Sequence, residues 1–254
     1  PPGHGMDSSA VRNRMVQKLA GQGITDAQVL GAMGTIERHR FVDSALVNQA
    51  YEDTSLPIGL GQTISKPGVV SRMLELLLKG QLGNPGKLGR VLEIGTGCGY
   101  QAAVLSLLAT EVYSIERLRG LHDKARDNLR HLRLANLHLL FGDGMAGYVK
   151  GAPYAGIIAA AGGEAVPQAW VDQLAVGGRL VAPVVTAGAS GSQALLVLVD
   201  TPNVIEEIVS EQPDDIERAV IRHQSIVERA AAASQMDESP DGPPDDTTGR
   251  FGGG

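Results

Sequence analysis

The apolar run Val91-Leu92-Glu93-Ile94 breaks into Gly95-Thr96-Gly97-Cys98-Gly99, followed by Tyr100 and an Ala- and Leu-rich stretch from Gln101 to Ala109. Glycines at alternate positions let the backbone turn sharply and let a ligand approach where a side chain would collide. The run before the turn reads as a buried parallel strand, and the stretch after it as a helix whose N-terminus faces that ligand. In an open parallel sheet the ligand sits beyond the carboxyl ends of the strands. Glu116 ends the next strand-like run, twenty-one positions after Gly95, where an acid accepts hydrogen bonds from a ribose diol. A third run ends in Gly142-Asp143-Gly144, and Asp143 there suits the exocyclic amine of a purine. Singly, these are a tight connection, a surface acid and a plain turn. Together they describe a nucleoside site.

The kind of nucleoside follows from what is missing. A dinucleotide fingerprint G-x-G-x-x-G would place its last glycine at Tyr100, and no Gly-Lys-Ser or Gly-Lys-Thr of a phosphate-gripping loop occurs. Glu93 precedes the turn and no Lys or Arg stands near it, which favours a ligand with a cationic, phosphate-free end. S-adenosylmethionine carries ribose, adenine and a sulfonium, and Glu93, Glu116 and Asp143 suit it electrostatically. Gly177-Gly178-Arg179-Leu180, ahead of a later strand, is a turn of a kind seen in methyltransferases of this fold.

The elements that position these residues can be read along the chain. Asp7 to Gly21 predicts an amphipathic helix on Val11, Met15 and Leu19, and a second helix begins at Thr25-Asp26. Thr35 to Ala50 predicts one or two short helices, completing a helical lead of roughly fifty residues ahead of any strand. Ala50 to Ser65 contains Pro57, Gly59 and Gly61 and excludes a long regular element. Pro67 opens a helix with a wide apolar face. After Gly89 strands and helices alternate, with strands at Val91–Ile94, Glu111–Glu116, Leu137–Phe141, Tyr154–Ala160, Arg179–Val184, Ala194–Val199 and Val204–Val209. Helices are expected over Leu118–Leu134 and Ala165–Leu174. The pattern predicts an α/β doubly wound, mostly parallel seven-stranded sheet, Rossmann-like, with an antiparallel edge hairpin where only Thr201-Pro202-Asn203 separates two strands. A further helix is expected over Asp214 to Ala233.

The implied organisation is a lead or tag over 1–6, N-terminal helices and a loop over 7–80, the cofactor-binding α/β domain over 81–212, a C-terminal helix over 213–234 and a disordered acidic tail over 235–254. With 43% hydrophobic and 20% charged residues, the composition is that of a soluble globular chain. A net charge of -6 without a basic stripe argues against nucleic acid as partner. No apolar run reaches the length of a membrane span and no signal-peptide pattern stands at the start, so a cytoplasmic location is the default expectation, and a monomer is expected as well. A lone Cys98 builds neither an internal disulfide nor a zinc site.

The chain resembles the protein-L-isoaspartate O-methyltransferases over roughly positions 10 to 200. The matching residues are Arg40-Phe41-Val42, Ala50-Tyr51-Glu52-Asp53, Leu56-Pro57-Ile58-Gly59, Gly61-Gln62-Thr63-Ile64-Ser65, Val91 to Tyr100, Ser114-Ile115-Glu116-Arg117, Gly142-Asp143-Gly144, Pro153-Tyr154 and Gly177-Gly178-Arg179-Leu180. The resemblance implies methyl transfer from S-adenosylmethionine to the free α-carboxylate of L-isoaspartyl, and of D-aspartyl, residues in damaged proteins and peptides. It implies that Ser65 and Thr63 are the active-site pair and that Leu56, Pro57, Ile58 and Ser65 meet the substrate. The cofactor would be held by Gln62 to Ser65, by Glu93, Gly95, Thr96, Gly97, Gly99 and Tyr100, by Glu116 and Arg117, and by Gly142, Asp143 and Gly144. No metal is implied. Ser65 also has a plain alternative role, capping the helix that Pro67 begins.

Three departures from the family pattern stand out. No aromatic-Val-Pro-Leu segment follows Val199, where Glu206, Glu207, Glu211 and the added C-terminal segment stand instead. Lys66 follows the serine where small or amide residues are frequent, and Cys98 takes a position where serine is common. The altered C-terminus keeps open a relative that methylates ordinary aspartate side chains on a dedicated peptide. A non-catalytic adaptor for damaged chains is the third class.

Overall fold

A computed structural model describes residues 8–79, 86–160, 166–185, 193–201, 204–210 and 220–225. The lead is helical as expected. Helix α1 (Ser8–Gly21) buries Met15 and Leu19, and α2 (Ala27–Thr35) starts at Asp26, whose carboxylate accepts the N–H groups of Gln28 and Val29. Two 3-10 turns follow, Arg38–Phe41 and Ser44–Gln49. The segment read as irregular then folds into a small antiparallel hairpin, β1 (Leu56–Gly59) with β2 (Gln62–Ile64). Its tip runs through positive φ at Gly59, Leu60 and Gly61, and this first strand pair follows the helical lead directly.

Helix α3 (Pro67–Leu78) turns its apolar face inward, and Leu74 and Leu77 are fully buried. Burying a leucine completely contributes roughly 1.5–3 kcal/mol. Arg72 and Glu75 on the same helix form a buried ion pair at 2.7 Å. The second Glu75 oxygen accepts the N–H groups of Thr25 and Asp26 at 2.8 and 3.0 Å, which ties the start of α2 to α3.

The main sheet has the order β10-β9-β8-β7-β6-β3-β4-β5. Its parallel half comprises β3 (Leu88–Ile94), β4 (Ala109–Glu116), β5 (Leu137–Phe141), β6 (Tyr154–Ala159) and β7 (Leu174–Val185). Helices α4 (Tyr100–Leu108) and α5 (Arg119–Leu129) make the crossovers on one side of the strand order, and α6 (Gln168–Asp172) precedes β7. The helix expected over Ala165–Leu174 stops short of Leu174, which already pairs with Tyr154 as β7 begins. Strands β8 (Gln193–Thr201), β9 (Val204–Ser210) and β10 (Val220–Ser225) continue the sheet as an antiparallel meander.

The sheet therefore has eight strands, not seven, and Val220–Ser225 is a strand, not part of the helix expected over 213–234. The helical spacing read from Ile216, Val220, Ile226 and Ala230 lost to the open edge of β9, whose backbone groups pair with this segment from Val209 to Val204. The flanking parts of that expected helix, the lead 1–6 and the tail 235–254 lie outside the described residues.

The chain runs from β3 outward through β4 to β5, then returns to place β6 on the other side of β3. That reversal opens a crevice at the carboxyl ends of β3 and β6, the place where doubly wound sheets take their ligands. The crevice floor is pinned by backbone bonds from Gly95 N to Ile115 O (2.8 Å) and from Ala160 N to Ile94 O (2.9 Å).

Candidate active site

Three glycines make the turn after β3 possible. Gly95, Gly97 and Gly99 have φ of 91°, 57° and 93°, a region that costs other residues roughly 1–2 kcal/mol each. At Gly99, which starts α4, an added Cβ would lie 2.8 Å from Leu129 Cδ1 and 3.3 Å from Ala125 Cβ. This glycine serves the packing of α5 against the turn. Helix α5 adds two further ties: Asn128 Nδ2 donates to Cys98 O (3.0 Å), and Lys124 Nζ donates to Ile58 O (2.7 Å). One helix thus holds both the glycine turn and the β1–β2 hairpin.

Glu116, ending β4, reaches back to that turn. Its Oε1 accepts the Gly97 N–H at 3.0 Å and its Oε2 accepts the Leu118 N–H at 2.9 Å. Each oxygen keeps a lone pair, so the carboxylate can still accept from a diol. Asp143 accepts the Met145 N–H at 3.0 Å and is otherwise exposed, between the half-exposed Gly142 and the buried Gly144. Arg117 is exposed beside Glu116.

The hairpin and the turn enclose a cavity. Thr63, Ile64 and Ser65 line one side, Gly95, Thr96, Gly97, Cys98, Tyr100 and Gln101 another, and Val70 and Ala160 close it. The structure therefore brings together the two stretches singled out in the sequence, although thirty positions separate Ser65 from Gly95. Ser65 does not cap α3. The Gly68 N–H at the start of that helix donates to Asp53 Oδ1 at 2.8 Å, and the Ser65 hydroxyl has no hydrogen-bond partner among the described residues.

Other expected site residues stand elsewhere. Leu56 and Ile58 are buried in the hydrophobic core and do not line the cavity, although Leu56 pairs across the hairpin with Ile64, which does. Pro57 is exposed and pairs with Thr63 across the hairpin. Gln62 is half-buried and does not line the cavity. Tyr100 contributes one edge of the wall, but its ring is packed edge-on to Phe41 at 5.6 Å and its hydroxyl points to Met33 Sδ at 3.6 Å. Burial pushes the Tyr100 phenol up to about 12, so it stays neutral.

Glu93 is fully buried and off the cavity wall. Its Oε1 lies 2.5 Å from Ser114 Oγ, which in turn lies 2.7 Å from Thr96 Oγ1, and its Oε2 accepts from Gln101 Nε2 at 3.1 Å. Desolvation pushes the Glu93 carboxyl up to about 8, partly offset by those hydrogen bonds. Glu93 is thus a largely protonated strut under the turn at neutral pH, where a charge facing a sulfonium had been expected. Ser114 and Gln101 complete this network and are not among the site residues expected from the sequence. The burial of Cys98 raises its thiol pKa, consistent with a packing role.

Two features fit an adenosyl cofactor. The turn offers a wall without Cβ atoms at Gly95 and Gly97, and none of the cavity-lining residues is Lys or Arg, as suits a ligand without phosphate. Among the described residues no group of three or more His, Cys, Asp and Glu could hold a metal ion, and no helix is long and apolar enough to cross a membrane.

The sheet order, the glycine turn and the acid ending β4 define a Rossmann-like class I methyltransferase. The comparisons narrow the class. The family model of protein-L-isoaspartate(D-aspartate) O-methyltransferases matches residues 10–211, and the chain belongs to that family. A protein-L-isoaspartate O-methyltransferase of Methylibium petroleiphilum is 62% identical over 198 residues, 78% of this chain and 72% of that protein. One from Leptothrix cholodnii is 60% identical over 203 residues, 79% of this chain and 70% of that protein. Among solved structures, a protein-L-isoaspartate O-methyltransferase superposes with a TM-score of 0.68 at 26% identity, covering 87% of this chain and 69% of its own. A structure from Plasmodium falciparum described as the same kind of enzyme, in complex with S-adenosyl-L-homocysteine, shares the fold with a TM-score of 0.61 at 20% identity, covering 84% of this chain and 94% of its own.

Proposed function

We propose that the chain methylates the free α-carboxylate of L-isoaspartyl residues in damaged proteins and peptides, with S-adenosylmethionine as donor, and so begins their repair. The observation that carries this reading is the meeting of Thr63-Ile64-Ser65 with the glycine turn in one cavity. Membership of the family and relatives of 60% identity and above support the reaction type.

The cofactor supplies an electrophilic methyl group on a sulfonium. The acceptor needs no activation by a base, since a carboxylate with a pKa near 4 is already ionised at neutral pH. This fits a cavity wall without His, Asp or Glu. What the protein contributes is alignment and the removal of water from the acceptor oxygen. In this reading Ser65, whose hydroxyl has no partner among the described residues and which lines the cavity, donates a hydrogen bond to the acceptor carboxylate. Thr63, across from Pro57 on the hairpin, assists at the cavity mouth. Glu116 takes the ribose diol, while Asp143 and the neighbouring Gly142 and Gly144 form the adenine edge. Thr96 and Gln101 hold the turn through Glu93. The working form in this reading is a monomer.

Incubation with methyl-labelled cofactor and an isoaspartyl peptide tests the reading. A base-labile label on the peptide is expected, as an ester requires. Label stable to mild base would indicate another acceptor atom, and no transfer at all would leave a binding protein.

A further inference from the structure

Arg38 is a buried cation with no carboxylate partner among the described residues. It sits on the first 3-10 turn with 0% of its surface exposed. Its Nε donates to Ala50 O at 2.6 Å and its Nη2 donates to Ser65 O at 2.9 Å, while Nη1 has no hydrogen-bond partner among the described residues. The guanidinium lies over the Tyr100 ring, 4.9 Å from its centroid. Glu37, the adjacent acid, is engaged by His39 and Arg40 at 3.4 and 3.2 Å. Burial lowers the Arg38 pKa, with the Tyr100 side chain acting in the opposite sense, but an arginine remains charged in a protein.

Buried charges are normally paired, because an ion removed from water without a counter-charge is costly. The buried Arg72 of this chain obeys that rule through Glu75. Arg38 does not, and it stands directly behind the active cavity: Ser65, whose carbonyl it holds, and Tyr100, which it covers, both form the cavity wall. The hydrogen bonds to Ala50 and Ser65 explain why an arginine fork is present, yet neutral donors would serve them equally well. The residual positive charge is explained by a negative charge that arrives with a ligand.

We infer that Arg38 is a positioning residue for the methyl acceptor: it fixes the Ser65 end of the loop and presents a positive field through the cavity wall that selects a carboxylate over a neutral group. This rests on the carboxyl-methylation reading above and adds to it the source of acceptor selectivity. A carboxylate on the cofactor's amino-acid end shares the same chemistry, so the test carries two arms.

Wild type, R38Q and R38K are compared using an isoaspartyl peptide and the same peptide with an amide in place of its isoaspartyl α-carboxylate, the amide serving as competitive inhibitor. Wild type is expected to bind the acid on the order of tenfold more tightly than the amide. R38Q should lose that ratio, and R38K should keep it with lower turnover, because the fork to Ala50 and Ser65 is gone. Calorimetry with S-adenosylhomocysteine is the second arm. A loss of affinity there in R38Q, with the acid-to-amide ratio intact, would move the charge to the cofactor and overturn the acceptor assignment. An unchanged ratio in folded R38Q would leave Arg38 as scaffolding only. Should R38Q fail to fold, R38K decides alone, and a lost ratio in R38K would contradict the role of charge. Absence of any methylation by wild type would count against the carboxyl-methylation reading itself and is thereby distinguished from failure of the Arg38 role.

Discussion

The Gly97 N–H donates to Glu116 Oε1 at 3.0 Å, so the turn after β3 and the acid ending β4 are one unit. The bond orients the carboxylate proposed to receive the ribose, and it fixes Gly97 in the turn that lines the cavity. Replacing Glu116 by Ala should therefore weaken S-adenosylhomocysteine binding by about tenfold or more, with a modest loss of stability. Isothermal calorimetry reads this directly, and unchanged affinity would remove Glu116 from the ribose site.

Ser65 should behave differently. Its hydroxyl has no hydrogen-bond partner among the described residues, and Ser65 lines the cavity beside the turn. In S65A, kcat with an isoaspartyl peptide is expected to fall by about tenfold to a hundredfold, as when one positioned donor is lost, while cofactor affinity stays near wild type. Equal losses in both would assign Ser65 to the scaffold.

The buried Glu93 predicts a pH signature in stability. Its carboxyl is pushed from 4.5 to about 8 by burial. Between these values the native state holds a proton that the unfolded chain has released, so stability falls as pH rises through this window. Below about 4.5 both states are protonated and the penalty vanishes. E93Q keeps the shape and the oxygen that accepts from Ser114, and it cannot ionise. Its advantage over wild type should grow between pH 5 and 8.5, towards a few kcal/mol. Urea unfolding at the two pH values measures it; a difference independent of pH would contradict the protonated strut.

Gly99 should be the least replaceable of the three turn glycines. Its φ of 93° already disfavours any side chain, and a Cβ would press on Leu129 and Ala125 of α5. G99A is expected to cost roughly 2–4 kcal/mol and to lower cofactor affinity as α5 is displaced. Thermal unfolding together with calorimetry checks both, and a variant as stable as wild type would show that α5 gives way freely.

Most of the α/β framework was legible because its signals are local. The runs from Val91 to Ile94 and from Leu137 to Phe141 are bounded by glycine or polar turns, and their order implies the crossovers. The β1–β2 hairpin escaped notice because strands of four and three residues are too short to show alternation. The same shortness hid that Leu56 and Ile58 face the core. Val220–Ser225 carries a helical spacing, and only the neighbouring edge of β9 decides for a strand. Glu93 and Arg38 show the remaining limit. A charged residue in a sequence reads as a surface group or a ligand contact, and its burial depends on contacts between residues far apart in the chain.

The most direct measurement of the central claim sets two peptides of identical composition against each other, one with an isoaspartyl linkage and one with the ordinary aspartyl linkage. The cavity and its Thr63-Ile64-Ser65 wall predict labelling of the isoaspartyl peptide with kcat/KM at least a hundredfold above the aspartyl one, on the order of what a positioned carboxylate contributes. Labelling of the aspartyl peptide alone would contradict the account.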